Sequence, residues 1–181
     1  GHGHVTRVLI EVKADIEKPT NDDWTPLMKA CSNGHEQCAR ALIEAKANLE
    51  AQMNSGHTAL MLSAQNGHEQ CAQALLEADA SLNMVSNDNF TMLMAASFGG
   101  LLSMVEHVLP HCAVNATVSS SHPSQGSYSA LMYCSMHGHM AIVKRLLQAG
   151  AVKELEAMSG ATALSLASDS GHEAVCCLLR G

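Results

Sequence analysis

The chain has 181 residues, of which 47% are hydrophobic and only 3% aromatic, and it carries a formal net charge of -7. That is ample apolar material for a packed interior, and with so few rings it must be built from Ala, Leu, Met, Val and Cys. These residues suit close helix packing and point to an all-α class. The acidic balance, with no Lys or Arg between Lys46 and Lys144, argues against a surface that tracks phosphates, so no nucleic-acid partner is expected. No apolar run approaches the roughly 18 residues that span a bilayer, and no charged-then-apolar signal segment opens the chain, so no membrane insertion is expected either.

In chain order, the first segment, GHGHVTRVLIEVKADIE at 1–17, reads as one helix followed by a polar turn. Next comes TPLMKACSNGHEQCARALIEAKANLE from Thr25, then TALMLSAQNGHEQCAQALLEADASLN from Thr58, then TMLMAASFGGLLSMVEHVLPHCAVNA from Thr91. The step between these copies is 33 residues. SALMYCSMHGHMAIVKRLLQAGAVKE from Ser129 arrives five residues late, and TALSLASDSGHEAVCCLLRG from Thr162 is back in step. The first segment aligns its Gly1-His2 with Gly34-His35, so the chain opens within a repeat. A period of this length marks a stacked array.

Each copy reads as a short helix stopped at Gly34, Gly67, Gly100, Gly138 or Gly171, where glycine can take the left-handed cap, and then a second helix. Cys38, Ala39, Leu42 and Ile43 fall at helical spacing, so one stripe of the second helix packs inward while Glu36, Arg40 and Glu44 face water. Polar connectors such as EAQMNSGH at 50–57 carry the Gly and Asn that a hairpin-like finger needs to turn.

These residues resemble an ankyrin-repeat array, with its pattern D-x-x-G-x-T-P-L-H-x-A-A-x-x-G-H followed by Leu-Leu-x-x-Gly-Ala. The resemblance covers nearly the whole chain and implies one solenoid domain, 1–181, of stacked helix-turn-helix units: a partial repeat at 1–19 and repeats at 20–52, 53–85, 86–123, 124–156 and 157–181. Two departures bear on the fold. The family's His in Thr-Pro-Leu-His is replaced by Met28, Met61, Met94 and Met132, and by Ser165, so the hydrogen bonds the resemblance assigns to that His are expected to be lost, with packing in their place. The Gly after the second helix is kept only at Gly150, with Lys13, Lys46, Asp79 and Cys112 in the equivalent places, and Pro110 forces one outer helix to end.

NGHEQCA occurs at 33–39 and again at 66–72, setting a histidine three residues ahead of a cysteine. The spacing could suit two metal ligands or a base beside a thiol, but in register the glycine is a helix stop and the cysteine takes an aliphatic core place. Successive pairs should lie along a row instead of converging on one ion. His107 and His111 are four apart, yet Pro110 breaks the helix that would set them on one face. The two histidines at 137 and 139 have a simpler origin, His139 being the repeat's own Gly-His. No phosphate loop, carboxylate pair or Ser-His-Asp grouping stands in a supporting context. No catalytic residue, metal ligand or cofactor is expected. Seven cysteines, six of them in helical stretches, fit reduced thiols and a cytoplasmic or nuclear location.

Arrays of this kind leave finger tips and the solvent side of the inner helices to vary along a concave face. The residue before each Thr or Ser cap is Trp24, His57, Phe90, Tyr128 and Ala161, so four successive fingers carry a ring at one equivalent place. These rings are either a binding stripe or braces between neighbouring fingers. Phe98, Met136 and His137 end the inner helices on the same side, and Phe98 could equally pack between helices. The Ser-rich finger at 115–128 is either a specificity loop or a tolerated insertion. The expected function is a monomeric, non-enzymatic module that grips a protein or peptide in its groove. The alternatives are a regulatory or substrate-recruiting array of a larger enzyme, channel or ligase adaptor, and a structural spacer.

Overall fold

The computed structural model describes residues 2–118 and 126–181. Among the described residues the regular structure is eleven α-helices and one 3-10 turn, with a single isolated antiparallel bridge, Thr117 to Ser129, in place of any sheet. A lone helix, α1 (His2–Glu11), precedes five pairs: α2 (Pro26–Ser32) with α3 (Glu36–Glu44), α4 (Ala59–Gln65) with α5 (Glu69–Glu77), α6 (Met92–Gly99) with α7 (Leu102–Val108), α8 (Ala130–Met136) with α9 (Met140–Gln148), and α10 (Ala163–Asp169) with α11 (Glu173–Arg180). The all-α expectation holds. The chain divides into two compact units, Gly1–Asn87 and Asp88–Gly181, close to the expected repeat boundary at 85/86.

The same local chemistry starts every inner helix. The hydroxyl of Thr25, Thr58, Thr91, Ser129 or Thr162 accepts the N–H of the residue three along, which satisfies one of the donors a helix start leaves free. Here the sequence expectation is corrected. The sulfur of Met28, Met94 and Met132 accepts the backbone N–H of its cap residue at 3.5 Å, and the Ser165 hydroxyl does so at 2.9 Å. A reciprocal capping box therefore survives replacement of the family's His, because a thioether still offers a weak acceptor at the right reach. At Thr58 only the first half of the box forms. The same methionines are almost wholly buried, so packing and capping act together.

Left-handed backbone occurs where the register asks for it. Gly34, Gly67, Gly100, Gly138 and Gly171 all have φ between 69° and 78°. Lys13, Lys46 and Asp79 keep φ near 60–67° after their outer helices although each is not glycine, at a cost of about 1 kcal/mol apiece. Cys112 does not: its φ is -134°, since α7 passes into the 3-10 turn Leu109–His111 around Pro110 and the chain leaves extended.

In the unit Gly1–Asn87, α2 packs on α3 and α4, while the outer helices α1, α3 and α5 pack in series. Arg40 pairs with Glu36 of its own helix at 2.8 Å and clips α3 to α5 through Glu77 at 2.9 Å, a surface contact that holds the Glu77 carboxyl below its ordinary range. Fingers are tied by side-chain acceptors: Glu17 takes the Asn48 N–H at 2.8 Å and Glu50 takes the Ser81 N–H at 2.7 Å. In the unit Asp88–Gly181, α6, α8 and α10 pack in series with α7, α9 and α11 outside them, and Asn115 bonds both Gly150 and Val152. The extended finger closes through Val118 N to Tyr128 O at 3.1 Å and Ser127 N to Val118 O at 2.9 Å; the rest of the expected specificity loop lies outside the described residues.

Candidate functional site

Two residues before each cap, directly ahead of the position that carries the ring in four of the five fingers, stands a residue of positive φ: Asp23, Gly56, Asn89, Ser127 and Gly160, at 58–85°. That turn decides where the following side chain goes. In the first unit it places Trp24 half-buried, with the Lys29 ammonium 3.9 Å above the ring, and His57 half-buried, with its Nδ1 2.9 Å from the Ser55 hydroxyl.

In the second unit the outcome differs from the expected exposed stripe. Phe90 is 5% exposed and Tyr128 7%. Both rings close edge-on against Tyr133, at 5.5 Å and 5.6 Å between centroids, and Phe98 meets the same ring at 5.7 Å. The reading of Phe90 and Tyr128 as exposed anchors is corrected on this point, because a buried ring has spent its surface on intramolecular contact. Such ring pairs are worth about 0.5–1.5 kcal/mol each beyond the area they bury. Burial, with smaller contributions from Asp88 and Tyr128, pushes the Tyr133 phenol up to about 12.

Tyr133 was missed in the sequence. It stands four residues after its cap, where the other copies carry Lys29, Leu62, Ala95 and Leu166. A large ring at a place otherwise filled by aliphatic or long polar side chains was the available signal.

What the cluster leaves at the surface is the other half of the expected set. Phe98 and Met136 are half-buried and His137 is exposed. The His137 ring lies 4.4 Å from Phe98, and burial against that neighbourhood, with the charges of His139 and His172, lowers its pKa. The Phe98 and Met136 carbonyls accept from His139 Nε2 and His172 Nε2, each at 3.0 Å. The C-terminal ends of α6 and α8, which carry Phe98, Met136 and His137, are thereby tied to the outer helices that follow.

The same interaction explains NGHEQCA. His68 Nε2 bonds the Ser32 carbonyl at 3.1 Å, and a Cβ on Gly34 would come within 2.7 Å of that ring. Glycine is required under the imidazole as well as by its φ. Cys38 and Cys71 are buried in their helices, and among the described residues no three His, Cys, Asp or Glu side chains converge as a metal site requires. His107 and His111 are both exposed, on opposite sides of the change from α to 3-10 winding. The Cys31 thiol is pushed far up by its hydrogen bond with Cys71 and by burial, and burial raises Cys112 and Cys134, the reverse of what activates a thiolate. No helix among the described residues is long and apolar enough to cross a membrane.

A search of curated proteins finds no match. A family model described as ankyrin repeats, three copies, matches residues 1–86, 46–120 and 92–181, which together take in the whole length. The capped inner helices, the Gly-His latches and this match agree: the chain belongs to the ankyrin-repeat family.

Proposed function

We propose that the chain is a non-enzymatic module that binds a protein or peptide, and that in the second unit the contact is made by Phe98, Met136 and His137. Ankyrin repeats generally mediate protein–protein interaction. The observation that carries the finer reading is the Phe98–His137 pair, a partly exposed ring under an exposed imidazole, backed by the buried rings around Tyr133. A rigid aromatic anchor on a braced base is the arrangement that hot spots favour, since little side-chain freedom is lost on binding. With no Lys or Arg from 47 to 143, the contact would be largely uncharged and weakly dependent on salt. Trp24 and His57, half-exposed on fingers of the first unit, are its secondary candidates.

Affinity capture with the wild-type chain and with Phe98→Ala and His137→Ala, followed by titration of the recovered partner, tests this reading. Phe98→Ala should weaken binding by about 1–3 kcal/mol with little change in the fold. Equal affinity of all three proteins, each shown to be folded, would move the interface elsewhere.

A further inference from the structure

In the second unit one position recurs across three inner helices. Phe98, Met136 and Asp169 each stand seven residues after the hydroxyl that caps their helix, at Thr91, Ser129 and Thr162. Because α6, α8 and α10 pack in series, the three residues form a row. Neighbouring packed helices lie roughly 8–10 Å apart, which sets the step of that row. Ser32 and Gln65 hold the same place in the first unit and are half-buried, as Phe98 and Met136 are, so the place faces the surface in each of these repeats. At Asp169 it is exposed.

The row runs from a ring through a thioether to a carboxylate, and nothing on its helices offsets that charge. α6, α8 and α10 contain no Lys or Arg. Lys144 and Arg145 belong to the outer helix α9, Arg180 to the outer helix α11, and Lys153 to the connector before α10. Residues 88–143 add Asp88 and Glu106 and no Lys or Arg. Burial lowers the pKa of His137, so its imidazole brings no positive charge to the row near neutral pH. A surface that is apolar at one end and anionic at the other is complementary to a segment that is apolar at one end and cationic at the other.

We propose that the partner segment held here is a polyproline II stretch with apolar side chains at i and i+3 and a Lys or Arg at i+6. The proposal rests on the reading of Phe98, Met136 and His137 as the contact, and it adds Asp169 as the residue that selects the partner's charge. A polyproline II helix returns a side chain to the same face every three residues, a rise of about 9 Å, which matches the step between helices. Side chains on one face of a β-strand recur at about 6.6 Å instead and lose the register within two steps. The two apolar side chains meet Phe98 and Met136, with His137 beside them, and the cation reaches Asp169. Such a segment has no internal hydrogen bonds to break and little freedom to lose on binding. One exposed ion pair at the edge leaves the contact largely uncharged, and salt weakens chiefly the preference for charge.

The probes are three synthetic peptides with blocked ends: LPPLPPR, its reverse RPPLPPL, and LPPLPPE. Each is titrated into the isotopically labelled 181-residue chain and followed by amide shifts. One of the two Arg peptides should shift Phe98, Met136, His137 and Asp169 saturably and bind about twofold to fivefold more tightly than LPPLPPE, the effect of one exposed ion pair. Asp169→Asn should remove that preference and Asp169→Lys should reverse it, while Phe98→Ala should weaken all three peptides alike. Circular dichroism establishes that the variants are folded. Equal affinity for the Arg and Glu peptides, with shifts still at Phe98 and Met136, overturns the proposal and leaves the surface as the contact. An Arg preference that survives Asp169→Asn also overturns it, since the acidic balance of the whole chain then attracts the peptide. Absence of saturable shifts with every peptide overturns it too, whereas the reading of the surface itself falls only if Phe98→Ala and His137→Ala bind the captured partner as the wild type does.

Discussion

The repeat at Thr25 and the repeat at Ser129 place an aromatic ring one residue before the cap and differ four residues after it. In the first, Lys29 stands there and lies over Trp24, and both stay in reach of water. In the second, Tyr133 stands there and draws Phe90, Phe98 and Tyr128 against itself. The backbone turn before the ring is the same in both, with Asp23 at 58° and Ser127 at 69°. What buries a finger ring is therefore the side chain that meets it from the inner helix. A cation holds a ring at the surface by its attraction to the ring face, while a third ring offers area on which the others can close.

Removing the meeting side chain should separate the two repeats most sharply. Tyr133→Ala deletes a nearly buried ring shared by three neighbours and should cost about 3–5 kcal/mol in urea unfolding, with Phe90→Ala in the same range. Trp24→Ala, on a half-exposed ring, should cost roughly 1 kcal/mol. Similar losses for Tyr133→Ala and Trp24→Ala would mean that the cluster holds no more than the surface pair does.

The latch offers a second contrast, smaller and internal to one unit. Gly138 and Gly171 have nearly the same φ, 74° and 77°, but a Cβ on Gly138 would come 2.6 Å from the His172 ring while one on Gly171 meets nothing within 4 Å. Gly171→Ala should cost roughly 1 kcal/mol for the left-handed backbone alone. Gly138→Ala should cost roughly 2–3 kcal/mol, because the imidazole must also give way and loosen its bond to Met136 O. Equal losses, read from thermal unfolding, would leave the ring contact without weight. Below these in size, Met94→Leu removes a sulfur that accepts the Thr91 N–H and should cost up to about 1 kcal/mol, whereas Met61→Leu, where the box is only half formed, should cost less.

The fold was legible because its instructions are local and repeated. The hydroxyl caps, the glycine stops and the apolar stripe at Cys38, Ala39 and Leu42 each act within a few residues, and five copies in register exclude coincidence. The candidate site was only half legible, for a physical reason. Whether Phe90 or Tyr128 reaches solvent depends on Tyr133, 43 residues from the one and in the same repeat as the other, and no periodicity reports a single outlying side chain. The methionine caps were misread for a related reason: losing an imidazole suggests losing its hydrogen bonds, yet the thioether of Met28, Met94 or Met132 keeps the weaker acceptor at the same place.

The smallest contrast is one of pH. His137 is the exposed member of the second unit's surface pair, and the groups facing it are Phe98 from α6 and the imidazoles of His139 and His172 at the starts of α9 and α11. Burial first, and then those two positive charges, put its folded pKa below the ordinary 6.5. The unfolded chain then binds the proton more readily, so this contribution to stability is complete above the ordinary value and is lost as pH falls through it toward the folded pKa. Thermal unfolding of the wild type should move to lower temperature between about pH 7.5 and about pH 5.5, and His137→Gln, which keeps a polar side chain without the titration, should move less. Trp24→Phe, in the repeat where Lys29 instead of a histidine faces the ring, should keep the wild-type dependence on pH. If His137→Gln retains the full pH dependence, the imidazole on Phe98 is as free to protonate as one in water, and the surface pair is looser than a 4.4 Å ring contact implies.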